Sequence, residues 1–427
     1  MTVEPFRAAL PRESQSQLSE AAAAVAVTRL SLTDFRNYGA LRLDLAPAPV
    51  ALIGANGAGK TNLLEAVSLL APGRGLRRAR LSDLIRRDSG GTEVPGRAWA
   101  VAAHVRTTLG ETEVGTGLVP GVAPEGRDAP LARVPRDAAS EPDADEDQIA
   151  PERRVVRIDG RTRGPAALAG VLSVRWLTPA MDRLFVEGAS TRRRFLDHLA
   201  SGLDSGHAPR VAAYERALRE RARLLRDGQG GRTPDRHWLA ALEGTLAELG
   251  VAIAAARNEY VARLTAQIAA EAVIGLRLVV DGTVEESLRS QPALSAETKF
   301  REALAASREH DAPTGGAAVG PHRSDLGVWH GSGLPASQCS TGEQKSLLLA
   351  IVRADVRLLA AAEGRPPLLL LDEVAAHLDE RRRTELFDTV LACGAQVWTT
   401  GTDRALFRAL EGRAQFLQAA HGQLVAV

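Results

Sequence analysis

Residues 54–61 read Gly-Ala-Asn-Gly-Ala-Gly-Lys-Thr, a full G-x-x-x-x-G-K-T phosphate-binding loop. Gly54, Gly57 and Gly59 let the backbone curl, so that its N–H groups, with those of Ala55, Asn56 and Ala58, can face phosphate oxygens. Lys60 would then reach the β- and γ-phosphates, and the Thr61 hydroxyl would ligate Mg²⁺. The residue type at position 60 is informative. Of 53 basic residues only Lys60, Lys299 and Lys345 are lysines. Where arginine otherwise fills basic positions, a lysine here suggests a site that needs a compact ammonium.

Two further stretches supply matching chemistry. Leu368-Leu369-Leu370-Leu371 is followed by Asp372-Glu373. A buried strand that ends in two acids delivers carboxylates to the sheet edge where ligands bind. Asp372 would hold Mg²⁺ or its water, and Glu373 would polarise an attacking water. On its own such a strand end is common; the upstream loop gives it meaning. Shortly before it, Ser340-Thr341-Gly342-Glu343-Gln344 opens a helical run. Ser340 and Glu343 have capping-box spacing, and the new helix N-terminus suits an anion.

The elements that must position these residues can be read from periodicity. The segments 25–32, 41–45, 50–53 and 98–106 are strand-like. The third feeds the phosphate loop, and a helical run follows it. Residues 1–24 read as an extension, and 111–153 as a low-complexity insertion rich in Pro, Ala, Asp and Glu. Residues 154–158 read as a further strand with a turn at Asp159-Gly160, and the second lobe, 154–310, is mainly helical from about 190 to 308. Runs 211–226 and 237–268 flank a Gly-rich break, which predicts either a short helical hairpin or a plain helical lobe. Residues 311–427 return to strands alternating with helices, with 368–371 and 396–400 as buried strands. Together these predict an α/β head in two parts, 25–110 and 311–427, with a mainly helical second lobe between.

Bulk composition bounds the rest. A net charge of +1 means that nucleic-acid binding would need a local basic patch. Cys339 and Cys393 form no pattern and suggest a reducing, cytoplasmic setting. No apolar run approaches the ~20 residues needed to cross a bilayer, so no membrane role is expected. The N-terminus lacks the pattern of a signal peptide.

The segment Ser340–Gln344 resembles the signature motif of ABC-type ATPases, and 374–379 resembles the D-loop that ends in Asp379. Leu32-Thr33-Asp34-Phe35-Arg36-Asn37-Tyr38, Arg192-Arg193-Arg194-Phe195-Leu196-Asp197 and Gly320-Pro321-His322-Arg323-Ser324-Asp325-Leu326 extend the match. The chain resembles RecF-type recombination and repair ATPases, relatives of SMC-type heads, over roughly 26–110 and 154–420. The resemblance implies an ABC-type P-loop ATPase head with an inserted, mainly helical second lobe. It implies ATP and Mg²⁺ as cofactors and ATP-dependent head-to-head dimerisation on gapped or duplex DNA. Slow DNA-stimulated hydrolysis, recombinase loading with RecR and RecO, and an SOS-response setting are also implied. It places Arg36, Asn37, Gly342, Gln344 and Asp379 at the nucleotide, with Ser340 closing over the γ-phosphate of a second subunit. The chain departs from the wider ABC pattern in two places. Thr400 or Thr402 stands where transporters carry a switch histidine, and no glutamine for a Q-loop occurs in 170–190.

Four arginines, Arg74, Arg77, Arg78 and Arg80, follow the phosphate-loop helix, with Arg86 and Arg87 soon after. They suit contacts to a DNA backbone, or pairing with acids such as Asp83. Arg192–Arg194 is a second candidate, or a support for the head. Two other functions share the core motifs: a transporter ATPase subunit, and a DNA scaffold that binds ATP without hydrolysing it.

Overall fold

The computed structural model describes residues 6–9, 23–86, 98–118, 154–229, 235–271, 275–374, 378–420 and 422–427. Strands β1 (Phe6–Ala9), β2 (Ala26–Phe35), β3 (Tyr38–Asp44) and β4 (Val50–Ile53) lead into helix α1 (Lys60–Ser68). Then come β5 (Trp99–Thr107), β6 (Gly110–Leu118), β7 (Arg154–Ile158), β8 (Arg161–Arg163) and β9 (Val174–Leu177). Helices α2 (Ala189–Ala200), α3 (His207–Gln229) and α4 (Arg236–Glu271) precede β10 (Leu276–Asp281). Helices α5 (Thr283–Ser290), α6 (Ala293–Ala306) and α7 (Arg308–Thr314) follow, then β11 (Asp325–His330) and α8 (Thr341–Glu363). The chain closes with β12 (Leu368–Leu371), α9 (Glu380–Ala392), β13 (Val397–Gly401), β14 (Gln415–Ala420) and β15 (Gln423–Ala426).

The core sheet has the order β15-β14-β4-β13-β12-β9. All its pairings are parallel except β14 with β15. Its central strands are apolar on both faces because both are covered. Val50, Leu52, Leu368, Leu370 and Trp398 face a core shared with α1 and a second sheet. Ala51, Ile53, Leu369, Leu371 and Val397 face the helices on the other side. The second sheet, ordered β1-β3-β2-β5-β6-β7-β8, is antiparallel apart from its β1–β3 edge. Leu63, Leu64, Ala66 and Val67 of α1 are fully buried between the two sheets, which fixes the phosphate-loop helix from both sides.

Three boundaries differ from the sequence reading. Residues 111–118, assigned to the insertion, belong to β6, which pairs with β5 along its whole length. Their alternation is diluted by Gly115 and Gly117, which hides the strand. Residues 154–177, assigned to the second lobe, supply β7, which the sequence reads as a strand, and β8 and β9, which it does not, to the two sheets. Helical structure of the lobe begins at Ala189. Within the stretch read as an extension, β1 pairs parallel with β3. The remainder of 111–153 lies outside the described residues, as does Arg87.

Helix α4 packs on α3, α5, α6 and α8, so the helices form a lobe against the head and not a protruding arm. By length and composition α4 could cross a membrane, which the sequence reading did not anticipate. Its Leu246, Val251, Ile253, Val261 and Leu264 are buried in two protein cores, and Arg257 and Tyr260 bond internally. That is the pattern of a core helix.

Candidate nucleotide site

The phosphate loop sits at the C-terminal ends of the parallel strands, between β4 and α1. Residues Ala55, Asn56 and Gly57 form its exposed tip, while Gly54, Gly59 and Lys60 are buried. Gly59 adopts φ +102, and a Cβ there would come within 2.4 Å of Asn37 Nδ2 and 2.9 Å of Tyr38 Oη. Glycine is thus required twice over, by backbone angle and by space. Tyr38 donates its hydroxyl to the Gly59 carbonyl at 3.1 Å, and burial raises its pKa. Lys60 Nζ donates to the carbonyls of Gly54 at 2.6 Å and Ala55 at 2.9 Å. Burial lowers its pKa, while the charges of Glu373 and Asp372 oppose the shift. A partly desolvated ammonium beside two carboxylates is prepared for a polyanion that brings compensating charge.

Asp372 is the meeting point of the site. Its Oδ1 accepts from Thr61 Oγ1 at 3.0 Å and from Thr400 Oγ1 at 2.9 Å. Its backbone N–H donates to Leu177 O of β9 at 2.9 Å. Thr400 also accepts the Glu373 backbone N–H at 2.8 Å. Glu373 has φ +54, a left-handed backbone that a glutamate adopts at a cost of about 1 kcal/mol or more. The Thr400 hydroxyl and the β12 terminus hold it there. Of the two threonines considered from sequence, Thr400 is the buried one and bonds both acids' peptide segment; Thr402 is exposed. A hydroxyl next to a carboxylate, all hard oxygen, fits Mg²⁺ well. Thr61 and Asp372 would hold the ion, which would supply positive charge to neutralise phosphate oxygens.

The signature residues lie elsewhere. Ser340 caps α8 in a capping box: its Oγ accepts the Glu343 N–H at 3.3 Å, and Glu343 accepts the Ser340 N–H at 2.7 Å. Gln344 is buried and donates to the Cys339 carbonyl at 2.9 Å. Among the described residues, no hydrogen bond joins Ser340, Gly342 or Gln344 to residues 54–61. Lys345, one turn into α8, pairs with Asp182 at 3.2 Å, just beyond β9 where a Q-loop would stand. Asp379 caps α9 by accepting the Arg382 N–H at 2.9 Å, and its neighbours 375–377 lie outside the described residues.

Arg36 and Asn37 act on the loop from the β2–β3 turn. The Arg36 guanidinium spans both Glu65 carboxylate oxygens at 2.9 and 3.0 Å and donates to Asp83 O at 2.9 Å. It thereby fixes α1 beside the phosphate loop, next to the nucleotide position that the sequence reading gave it. Asn37 accepts from Asn62 Nδ2 at 2.7 Å and abuts Gly59, so it stays beside the phosphate loop.

The profile of the RecF/RecN/SMC N-terminal domain matches residues 26–114. The DNA replication and repair protein RecF of Mesorhizobium japonicum is 45% identical over 402 residues, covering 93% of this chain and 96% of its own. The protein of the same description from Caulobacter vibrioides is 43% identical, covering 92% and 96%. The chain belongs to the RecF family. Two solved structures of the recombination mediator protein RecF, as RecF-ATPrS and RecF-ATP, superpose with TM-scores of 0.77 and 0.74. Both are 21% identical and cover 95% of this chain and 99% and 100% of theirs, so they share its fold. Membership in RecF, a family of ABC-type ATPases, sets aside the transporter alternative.

The other RecF-type motifs join α2 to β11 and to its neighbouring lobe helices. Arg192 donates Nε and Nη2 to the two Asp325 oxygens, each at 2.8 Å, and Arg193 donates to Ser324 O at 2.6 Å. Asp197 accepts from His207 at 2.8 Å and from Arg257 at 2.8 and 2.9 Å. Sequence reasoning did not find the buried triangle of Arg175, Asp355 and Tyr260. Arg175 of β9 and Tyr260 of α4 each donate to Asp355 of α8 at 2.6 Å, joining core sheet, signature helix and lobe. Only the unusual burial of an arginine and an aspartate marks it, and burial is not readable from a lone Arg or Asp in sequence.

Proposed function

We propose that ATP, held with Mg²⁺ at Lys60, Thr61 and Asp372, drives head-to-head dimerisation of this RecF protein on DNA, and that Glu373-dependent hydrolysis releases it. One observation carries the reading. The phosphate loop, Asp372, Glu373 and Thr400 are assembled in one subunit, while among the described residues the signature residues Ser340–Gln344 hydrogen-bond only to each other, to Cys339 and within their own helix. A second subunit's α8, with its N-terminal dipole and Ser340 hydroxyl, would complete the γ-phosphate environment. Glu373 stands where it can orient water, and Lys60 where it can stabilise developing charge.

The DNA partner follows from a local patch, as the near-neutral net charge requires. Arg74, Arg78 and Arg80 are exposed, and their side chains hydrogen-bond no other described residue. Burial, together with the charges of Arg194 and Arg74, lowers the Arg78 pKa, while Glu215 and Asp197 oppose the shift. Such a patch suits sequence-independent contact with duplex beside single-strand gaps. Slow, DNA-stimulated turnover, action with RecR and RecO in loading recombinase, and a cytoplasmic setting complete the reading. The test compares Glu373→Gln with wild type by light scattering after ATP addition on gapped DNA. The variant should stay dimeric while the wild type returns to monomer as ATP is consumed. Equal decay would favour a scaffold that binds ATP without using hydrolysis as its release step.

A further inference from the structure

Beyond α1 the chain runs through residues 69–80, and its backbone there is pinned. Arg154, the first residue of β7, donates Nη1 to Gly73 O at 2.6 Å and Nη2 to Ala71 O at 3.3 Å, and it also bonds Leu69 O. Burial lowers its pKa to about 10. Ser68 Oγ accepts the Leu76 N–H at 2.8 Å. Gly75, at φ +70, packs so tightly on α1 that a Cβ would lie 2.9 Å from Ser68 Oγ and Leu69 Cδ2. The loop is therefore a fixed platform from which Arg74, Arg78 and Arg80 project into solvent.

The sheet register carries this platform outward. In the β7–β8 hairpin Val156 lies opposite Arg163, and Ile158 opposite Arg161. Side chains alternate along strands, so Arg154, Val156 and Ile158 share one face, and Arg161 and Arg163 emerge on it too. That is the face on which Arg154 clasps Gly73. Arg163 is one strand across and two residues along from this clasp, a Cα separation of roughly 8 Å from strand geometry. All three residues of β8 are exposed, and the side chains of Arg161 and Arg163 bond no other described residue.

We propose that Arg161 and Arg163 on the edge strand continue the arginine loop into one track that binds the sugar-phosphate backbone of DNA. The inference rests on the DNA-binding reading above. Exposed edge strands carry charge to avoid pairing with other sheets, but either sign serves that purpose. Here both charges are positive, aligned on the face of the arginine loop, and without acid partners among the described residues. Guanidinium forks match phosphate oxygens, and nothing in the track is shaped to read bases.

The experiment measures affinity of the full-length protein, with ATP and Mg²⁺, for a gapped duplex across a salt series. Arg161→Ala/Arg163→Ala should weaken binding at least several-fold at low salt. It should also lower the slope of log K against log salt by about 1–2, near 0.9 per lost phosphate contact. Arg161→Lys/Arg163→Lys should keep most of the slope, and fluorescent ATP-analogue binding should be unchanged in both. If the alanine pair binds DNA as wild type does while Arg77→Ala/Arg78→Ala/Arg80→Ala weakens it, the track ends at the loop and the inference is overturned. If neither variant alters DNA binding, the DNA surface lies elsewhere and the inference falls with the reading of the loop. Loss of ATP-analogue binding in the alanine pair would also overturn it, since the effect would then come through the nucleotide site.

Discussion

Thr400→Val removes one hydroxyl from the site while keeping shape and volume nearly constant. In the structure that hydroxyl makes two bonds, donating to Asp372 Oδ1 at 2.9 Å and accepting the Glu373 N–H at 2.8 Å. Losing a hydrogen bond to a charged acceptor costs about 1.5–3 kcal/mol, and a stranded N–H about 1–3 kcal/mol. Part of this appears as lost stability. The part that concerns turnover is the freedom gained by Glu373, whose left-handed backbone is otherwise secured by the hydroxyl. If about 2 kcal/mol of that orientation is missing in the transition state, turnover falls roughly 30-fold. ATP affinity should change little, because Lys60 and the loop amides are untouched. Single-turnover phosphate release, run beside binding of a fluorescent ATP analogue, separates the two. Thr400→Ser should restore most of the rate. A Thr400→Val rate within two-fold of wild type, with normal ATP binding, would refute the view that this threonine organises the two acids.

Asp355→Asn should destabilise the protein strongly, by about 3–5 kcal/mol, because it leaves the buried Arg175 charge uncompensated. Tyr260→Phe deletes only one bond to the same carboxylate and should cost about 1 kcal/mol; chemical denaturation of both variants checks the contrast. Asp197 gives a pH prediction. Burial pushes its pKa up, but bonding and charge from His207 and Arg257 outweigh this and hold it below 3.8. A carboxylate depressed in the fold lends stability above its unfolded pKa and loses it as pH falls through the folded value. The melting-temperature gap between wild type and Asp197→Asn should therefore be full at pH 7 and shrink below about pH 4. A gap constant from pH 7 to pH 3 would contradict this origin.

Motifs built on local physics were legible in the sequence. The phosphate loop needs its glycines and lysine contiguous, and the β12 run of four leucines followed by two acids announces a buried strand and its exit. What sequence concealed was long-range. Arg36 carries the right charge for a phosphate, and only the fold shows Glu65 already holding it. Thr400 and Thr402 are chemically alike; Thr400 lies inside buried β13 while Thr402 is exposed beyond its end, and burial decides between them. Strand β6 escaped notice because its buried face alternates Val114, Thr116 and Leu118 with Gly115 and Gly117, a weakly apolar pattern, and β9 because four residues are too few to show a period.

The strand order has a consequence for how the molecule comes into being. In the core sheet β4, which carries the phosphate loop, is hydrogen-bonded to β13 and β14. Both neighbours come from residues 397–420, more than 340 positions later in synthesis. During translation the loop therefore waits as an unpaired strand until nearly the whole chain has left the ribosome. Non-local parallel pairing of this kind is slow to form, and its exposed intermediates are prone to aggregation. The nucleotide site is thus among the last features to be completed, and a nascent chain that stalls before β13 has no means of engaging ATP.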